Sequence, residues 1–353
     1  MKRFMKLMQI PLFPLVFLIG LGLTSCQSQE VTPPPTPPVT DQNPHSLGRV
    51  GNPEDVDTET ESGLVLMGGS TDVDQAMRWM IEKSGGGDFV IIRSSGADGY
   101  NDYLYELGQL NSVETLLINS AAGANDDRVF ETLKNAEALF IAGGDQSQYL
   151  RFWEGTKVEE AIQYLIHEKR IPIGGTSAGC AIMGEFVYTG ENNSIISAEA
   201  LANPFDPNLT VRRSSLINHP LLQNTITDQH FSQRNREGRL VAFMARLKEE
   251  SNGQALKGIA VDERTAAVID GDGKVQIMGQ NQVYFVKEND PDQAPEQLSN
   301  STPLTWDLNQ SALKSLETSS SSNLEAFDLK EWNTNFSDFW FVENGTLKTR
   351  AKE

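Results

Sequence analysis

From Gly63 onward, short runs of consecutive apolar residues alternate with longer segments whose apolar residues recur at helical spacing. Apolar runs of this kind are typical of strands that are buried on both faces of a parallel sheet. Parallel strands need crossover helices, so the alternation predicts a doubly wound α/β fold in which helices sandwich a mostly parallel sheet. The pairs of run and helical segment include Leu64–Met67 with Val73–Lys83, Phe89–Ile92 with Tyr100–Leu110, and Ala138–Ala142 with Gln146–Trp153.

The composition excludes several kinds of function. The 353 residues include 29 Lys and Arg against 48 Asp and Glu, which gives a formal net charge of −19. Nucleic-acid binding depends on basic residues that neutralise phosphates, so we expect no nucleic-acid partner. The chain has two cysteines and four histidines. These are too few for a multi-cysteine or histidine-rich metal centre, and we expect no metal.

Residues 1–25 have the layout of a secretory signal. Basic residues precede an apolar run, Ile10–Leu23, which is short for a bilayer-spanning helix and is interrupted by prolines. The run ends in Leu-Thr-Ser before Cys26, and this resembles the lipobox of bacterial lipoproteins, in which the cysteine is lipidated and becomes the first mature residue. An ordinary signal peptide followed by a chance cysteine is the alternative. We favour lipidation of Cys26, because a small residue directly precedes it.

Composition divides the rest of the chain into three parts. Seven of the 16 prolines lie between Gln27 and Ser62, and a segment with so little to bury is expected to form a disordered, extended stalk over residues 26–62. Residues 63–287 hold the alternating pattern and form the predicted main domain. Residues 288–353 turn polar and end in aromatic residues, and we predict a β-rich C-terminal extension that packs on the main domain.

The segment from Gly175 to Gly179 reads Gly-Thr-Ser-Ala-Gly and directly follows an apolar run. This G-x-S-x-G pattern before a helix-like segment is typical of a nucleophile elbow, where small neighbours expose a serine on a strained strand-to-helix turn. Ser177 is therefore the candidate nucleophile, and the amide of Ala178 can stabilise an oxyanion. The alternative is a structural glycine-rich turn capped by serine.

A nucleophilic serine needs a base. His230 lies among three arginines and an aspartate, whereas His167 has the pattern of a surface residue and His219 precedes a proline. No histidine follows His230, so the chain order serine, acid, histidine of α/β-hydrolases fits poorly. An acid after the histidine, either Asp262 or Glu263, would stand at the end of a predicted strand, where a parallel sheet presents functional side chains.

Four motifs, in this order, resemble cyanophycinases. These are serine peptidases of the family that also contains aspartyl dipeptidase (peptidase E), with a fold like that of class I glutamine amidotransferases and flavodoxin. The resemblance covers residues 63–286 and implies a Ser177–His230–Glu263 triad. The motifs are Gly143-Gly-Asp-Gln146, Gly175–Gly179, Asp228-Gln-His-Phe231 with its three arginines, and Gly258–Glu263. The further roles implied are an oxyanion hole at Gly144 and Ala178, and substrate binding by Gln146, Asp228, Gln229, Arg234, Arg236 and Arg239.

The activity implied by the resemblance is hydrolysis of cyanophycin, a polyaspartate that bears arginines on isopeptide bonds, to β-aspartyl-arginine dipeptides, with no cofactor. Arginine side chains would bind aspartyl carboxylates, and Asp228 would receive the substrate's arginine. The long segment Phe186–Thr227, between the serine and the histidine, is expected to shape the substrate groove. Cys180 is expected to be a small buried helix residue.

Two other functions remain open from the sequence. One is an aspartyl or isoaspartyl peptidase that acts on small peptides, and the other is a non-catalytic lipoprotein that binds peptides. With a lipid anchor at Cys26, the membrane is a partner, and we expect the protein in the bacterial cell envelope, on the periplasmic or cell-surface side. The sequence does not decide between a monomer and a homodimer.

Overall fold

The apolar runs of the sequence form strands, and most segments between them form helices. The structure is a computed structural model that describes residues 43–322 and 327–352. Its strands, in chain order, are β1 Ser46–Gly51, β2 Gly63–Met67, β3 Asp88–Arg93, β4 Ser112–Leu117, β5 Ala138–Ile141, β6 Pro172–Thr176, β7 Phe186–Tyr188, β8 Val211–Arg213, β9 Thr225–Gln229, β10 Lys257–Val261, β11 Thr265–Asp270, β12 Val275–Gly279, β13 Gln282–Glu288, β14 Leu313–Ser319, β15 Asp338–Glu343 and β16 Thr346–Ala351.

Helices cover both faces of a first sheet, whose strand order is β1-β4-β3-β5-β6-β2-β11-β12. The central strands from β4 to β2 are parallel to one another, which confirms the predicted α/β fold. In β2, Leu64 and Leu66 face one core, and Val65 and Met67 face the other. The helices are α1 Asp74–Lys83, α2 Tyr100–Leu107, α3 Ala121–Ala124, α4 Asp127–Asn135, α5 Gln146–Trp153, α6 Lys157–Tyr164, α7 Ala178–Ala181, α8 Ser197–Ala202 and α9 Glu237–Leu247.

A second sheet, which the sequence did not predict as a separate layer, has the order β16-β15-β14-β13-β10-β9-β7-β8. Only β7, β9 and β10 are parallel neighbours in it. The strands β9 and β10 flank α9 as a β-α-β unit, but they do not join the first sheet. They pair with each other, β9 pairs also with β7, and β10 pairs with the antiparallel strand β13. The predicted C-terminal β-rich segment is present as β14–β16, and its Trp340 and Phe341 lie in the core against α9 residues such as Phe243.

The predicted stalk is wrong for the part of residues 26–62 that the structure describes. Strand β1 pairs antiparallel with the edge strand β4, and Arg49 forms an ion pair with Glu114 at 2.6 Å. Most of the prolines that suggested an extended segment precede His45. After His45, the backbone can donate and accept hydrogen bonds at the open edge of a sheet. The predicted signal, Cys26 and the first part of the stalk lie outside the described residues.

The candidate site residues lie at strand ends where the two sheets adjoin. Ser177 directly follows β6 of the first sheet, His230 directly follows β9 of the second, and Glu263 lies two residues after β10. Because β10 ends at Val261 and the chain joins the first sheet at Thr265, Glu263 stands on the crossing between the sheets. The carboxyl ends of parallel strands in both sheets thus contribute to one place.

Candidate active site

Ser177 lies on a sharp turn between β6 and α7, in a backbone conformation that serine rarely adopts. Its φ is 52° and its ψ is −116°, a conformation that costs of order 1–3 kcal/mol and persists only where the surroundings fix it. Close packing explains the glycines on either side. A Cβ atom on Gly175 would lie 2.6 Å from the carbonyl carbon of Gly179, and one on Gly179 would lie 2.1 Å from the carbonyl oxygen of Ile141. The turn has the strand-turn-helix context of a nucleophile elbow.

The structure places Ser177, His230 and Glu263 in one hydrogen-bonded chain. Ser177 Oγ lies 2.9 Å from His230 Nε2, and His230 Nδ1 lies 2.7 Å from Glu263 Oε1. Of the two acids that the sequence left open, Asp262 is turned away and accepts hydrogen bonds from the amide and hydroxyl of Ser232, at 2.8 and 2.9 Å. The arrangement is that of a nucleophile, a base and a group that orients the base.

The electrostatic surroundings favour the neutral imidazole of His230. Burial lowers its pKa below the usual 6.5, and the positive charges of Arg234 and Arg236 act in the same direction. The hydrogen bond and the negative charge of Glu263 oppose this shift without overcoming it. At neutral pH the ring is therefore deprotonated, which is the form that can accept a proton from a serine hydroxyl.

The turn after β2 is part of the site, although the sequence analysis did not single it out. Gly69 has a φ of +94°, and a Cβ atom there would lie 2.5 Å from both Cε1 and Nε2 of His230 and 3.1 Å from Cβ of Ser177. A Cβ atom on Gly68 would lie 1.9 Å from the carbonyl oxygen of Asp262. Two glycines directly after a buried strand were the signal that could have revealed this turn.

A cavity of about 340 Å³ lies in front of Ser177 and His230. No acidic side chain is among the described residues that line it, so its charge is positive and suits an anionic group. A larger groove of about 660 Å³ beside α1 has no histidine among its described lining residues. The predicted site residues in the lining are Gly144, Gln146, Ser177, Gln229, His230, Arg234, Arg236 and Arg239, and the additional ones are Tyr188, Gly190 and Ser194.

The additional lining residues come from the predicted groove-shaping segment, Phe186–Thr227. The Tyr188 hydroxyl donates to the carbonyl oxygen of Asn193 at 2.7 Å, and this bond fastens the loop that carries Gly190 and Ser194. A Cβ atom on Gly190 would lie 3.0 Å from Gln146 Nε2. No sequence pattern marked Tyr188, because β7 has only three residues, and the end of this strand delivers its side chain to the cavity.

Asp228 does not line the cavity, which corrects the expectation that it receives a substrate's arginine. Its carboxylate is buried beneath Arg239, accepts a hydrogen bond from Nε at 2.8 Å and a second from Nη2, and is thereby occupied. Arg236 donates to the backbone and side-chain oxygens of Gln229 at 2.6 and 2.7 Å. Burial lowers the pKa of Arg236 to about 10, so its guanidinium remains charged at neutral pH.

Arg234 differs from the two buried arginines of the cavity. It lies on the exposed short helical turn after Phe231, and its guanidinium forms no ion pair with any side chain in the described part of the chain. Arg236 and Arg239 are fixed by protein partners, while Arg234 is available to a ligand. A carboxylate in this cavity would meet one unpaired and two preorganised guanidinium groups.

The two residues assigned to an oxyanion hole lie on either side of Ser177. Gly144 lines the cavity, and Ala178 is the buried first residue of α7. A Cβ atom on Gly143, the residue before Gly144, would lie 3.4 Å from Ser177 Cβ. Gly143 therefore lies beside the serine, at a distance where a side chain would be in ordinary van der Waals contact with it.

Other candidate groups take no part in the site. His167 is exposed and lies 3.1 Å from Gln163, and His219 is half-buried, with its Nδ1 accepting from the amide of Leu221. Cys180 is fully buried, as predicted, and burial raises its pKa, which keeps it a thiol. Within residues 43–322 and 327–352, no group of three or more metal-ligating side chains occurs and no helix is long and apolar enough to cross a membrane.

The fold and the site together define an α/β serine hydrolase. The sequence model for Peptidase family S51 matches residues 98–277, about half of the chain. The chain belongs to peptidase family S51 and is a serine-type peptidase, so the resemblance predicted from its motifs is confirmed.

Several curated relatives of the chain are cyanophycinases. The chain is 27% identical over 245 residues to the cyanophycinases of Synechococcus elongatus and Thermosynechococcus vestitus, which covers 65% of this chain and 69% of each relative. It is 28% identical over 183 residues to that of Trichormus variabilis, which covers 52% of this chain and 56% of the relative. Among solved structures, a peptidase from an acI-B1 Actinobacterium matches with a TM-score of 0.48 and 14% identity, over 75% of this chain and 96% of that one.

Proposed function

We propose that this chain is a lipid-anchored peptidase that cleaves cyanophycin, with Ser177, His230 and Glu263 as its catalytic triad. The observation that carries the proposal is the hydrogen-bonded chain of these three side chains at a cavity lined by three arginines. The named activity of the curated relatives supports cyanophycin as the substrate.

The proposed mechanism is acyl transfer. Ser177 Oγ attacks the aspartyl carbonyl carbon while its proton passes to His230 Nε2, and Glu263 accepts the hydrogen bond of Nδ1–H and stabilises the imidazolium. The amides of Gly144 and Ala178 hold the oxyanion of the tetrahedral intermediate. His230 then gives the proton to the leaving amine as the C–N bond breaks. A water molecule, deprotonated by the same ring, attacks the acyl group and releases the product acid and free Ser177.

The arginines of the cavity suit a free aspartyl carboxylate beside the scissile bond. Arg236 and Arg239 are held in place before substrate binds, so little side-chain entropy is lost when a carboxylate is bound. Arg234 can pair with the same or a neighbouring carboxylate. A polyaspartate chain offers such groups at its end, and neutralising them in a partly buried cavity gives strong, charge-assisted hydrogen bonds.

A second candidate is a peptidase for small aspartyl or isoaspartyl peptides. The observation that favours it is the lining of the cavity, in which no described residue is acidic and Asp228 is occupied by Arg239. The cavity thus binds the aspartyl part of a substrate and has no group for an arginine side chain. In this candidate, Asp-X peptides are cleaved whatever the residue X.

The experiment that separates these functions uses the full chain, purified in detergent. Cyanophycin and matched dipeptides with Arg, Lys or Leu after an α- or β-linked aspartate are incubated with the wild type and with Ser177→Ala. Release of β-aspartyl-arginine from the polymer by the wild type alone supports the first function. Cleavage of the dipeptides without attack on the polymer supports the second. Binding without turnover of any substrate would contradict the triad and favour a non-catalytic peptide-binding lipoprotein.

The lipid anchor at Cys26 and a place in the bacterial cell envelope are the remaining parts of the proposal. The Leu-Thr-Ser sequence before Cys26 supports them. In a membrane fractionation, Cys26→Ala should move the protein to the soluble fraction, while Cys180→Ala, a change at the other cysteine, should stay with the membranes. Retention of Cys26→Ala in the membrane fraction would argue against lipidation.

A further inference from the structure

The backbone at the end of β2 and in the turn after it is hydrogen-bonded to two members of the proposed triad and to the residue that follows the third. The carbonyl oxygen of Met67 accepts from the amide of Ser177 at 3.1 Å, and that of Gly68 accepts from the amide of His230 at 2.8 Å. The carbonyl oxygen of Gly69 accepts at 3.0 Å from the amide of Arg264, the residue after the triad glutamate. Three consecutive carbonyl groups therefore hold the backbone at Ser177, at His230 and directly after Glu263.

A buried carboxyl group at the end of this turn connects it to its surroundings. Asp72 Oδ2 accepts a hydrogen bond of 2.6 Å from the hydroxyl of Tyr100, the first residue of α2. Burial raises the pKa of the Asp72 carboxyl, and the hydroxyls of Tyr100 and Thr176 oppose this shift without overcoming it. Asp72 Oδ1 and Thr176 Oγ1 are both buried, and neither makes a hydrogen bond of good geometry in the described part of the chain. Thr176 directly precedes Ser177.

We propose that Asp72 is a positioning residue for the reaction, which fixes the Met67–Asp72 turn through Tyr100 and Thr176 and so holds the triad at its working distances. Asp72 does not line the cavity in front of Ser177; it lines a separate cleft, together with Arg264. It therefore acts through the turn and not on substrate. The inference rests on the proposed triad, because the distances that the turn sets are those of its members.

The chain contains a matched control pair. One turn further along α2, the hydroxyl of Tyr103 donates to Asp74 Oδ1 at 2.9 Å. This pair has the same two residue types and also involves α2, but it is exposed, and its Asp74 lies in α1, outside the turn that touches the triad. A general loosening of α2 would affect both pairs alike, whereas a positioning role belongs to Asp72 alone.

The experiment compares Asp72→Asn and Thr176→Val with Asp74→Asn and Tyr103→Phe in the full chain. Turnover of cyanophycin or of an aspartyl dipeptide, and the rate at which a fluorophosphonate probe labels Ser177, are measured together with the melting temperature. For Asp72→Asn and Thr176→Val we expect kcat and the labelling rate to fall about tenfold or more, with KM nearly unchanged. Thr176→Ser, which keeps the hydroxyl, should restore most of the activity. The Asp74 and Tyr103 variants should stay within about twofold of the wild type.

Two results separate the failure of this inference from that of the proposed function. Equal effects of Asp72→Asn and Asp74→Asn on kcat and labelling, with a labelled wild type, would overturn the positioning role alone. A wild type that is not labelled at Ser177 and has no activity would overturn the proposed function and this inference with it. If Asp72→Asn does not fold, Tyr100→Phe removes the hydroxyl that donates to the Asp72 carboxyl and should lower kcat in the same way. A wild-type kcat in that variant would refute the positioning role.

Discussion

Removal of the Asp228 carboxylate should destabilise the protein strongly, because it leaves a buried guanidinium without its counter-ion. Asp228 and Arg239 are only 2% and 1% exposed, and they share two hydrogen bonds. Arg236 Nη1 lies 3.9 Å from the same carboxylate, so a second positive charge would also lose its neighbour. Breaking a buried pair in this way costs about 3–5 kcal/mol. For a domain of this size, with an unfolding entropy of about 2 cal/mol/K per residue, that corresponds to a fall in melting temperature of roughly 5 °C or more.

The assay is urea and thermal unfolding of Asp228→Ala beside the wild type. A matched control is Glu154→Ala, which removes the partner of Arg212, a pair with two hydrogen bonds of 3.0 and 2.6 Å whose arginine is partly exposed. This control should cost about 1 kcal/mol. The double variant Asp228→Leu/Arg239→Met should regain most of the lost stability, because it replaces both charges by apolar groups. Wild-type stability of Asp228→Ala, with weakened substrate binding, would refute the reasoning and return Asp228 to the substrate.

Three further predictions concern the site itself. Gly69→Ala should lower kcat about a hundredfold or more, because its Cβ atom would lie 2.5 Å from the His230 ring and a displaced base cannot reach Ser177. Single-turnover kinetics would measure this loss, and an unchanged kcat would contradict the close approach of Gly69 to His230. The acid limb of the kcat/KM profile should have its midpoint below pH 6.5, since burial and nearby arginines lower the pKa of His230. Arg234→Gln should move that midpoint to higher pH, because one of the charges that disfavours the imidazolium is gone, and a shift to lower pH would contradict this. Glu263→Gln should reduce kcat by roughly 10⁴-fold with the fold intact, as expected when the group that orients the base loses its charge; near-normal turnover would assign the acid elsewhere.

Much of the first sheet could be predicted from the sequence, because its central strands are short apolar runs with no competing interpretation. The run Leu64–Met67 and the helical segment Val73–Lys83 correspond closely to β2 and α1. The same holds for Gln146–Trp153, whose bounds are those of α5. In these segments, the spacing of apolar residues shows whether a strand is buried on both faces or a helix on one face, and this spacing can be read from the sequence alone.

The second sheet and the start of the fold could not be predicted in this way. Strand β1 is polar and half-exposed, and only its pairing with β4 makes it a strand. The short strands β7 and β8 have three residues each, too few for a periodic pattern. Their pairing depends on residues far away in the chain, which local propensity does not record.

The candidate site was predictable where a motif carries the chemistry and less so where geometry decides. The G-x-S-x-G pattern and the order of His230 and Glu263 led to the side chains that the structure brings together. Asp228 was assigned to the substrate because a carboxylate beside arginines fits either role, and only burial shows that its partner is Arg239. The glycines after β2 were not predicted to belong to the site, because glycine pairs are common in sequences. Only the structure shows that Gly69 lies against His230 and Ser177.

The division of the three hydrogen-bonded side chains between two sheets has a consequence for how the protein becomes active. Ser177 belongs to a layer that can form largely from contacts near in sequence, whereas His230 and Glu263 belong to a layer whose outer strands come from the end of the chain. The three side chains therefore meet only after the two layers have docked, so that docking of the layers, and not the folding of either one, assembles the hydrogen-bonded chain.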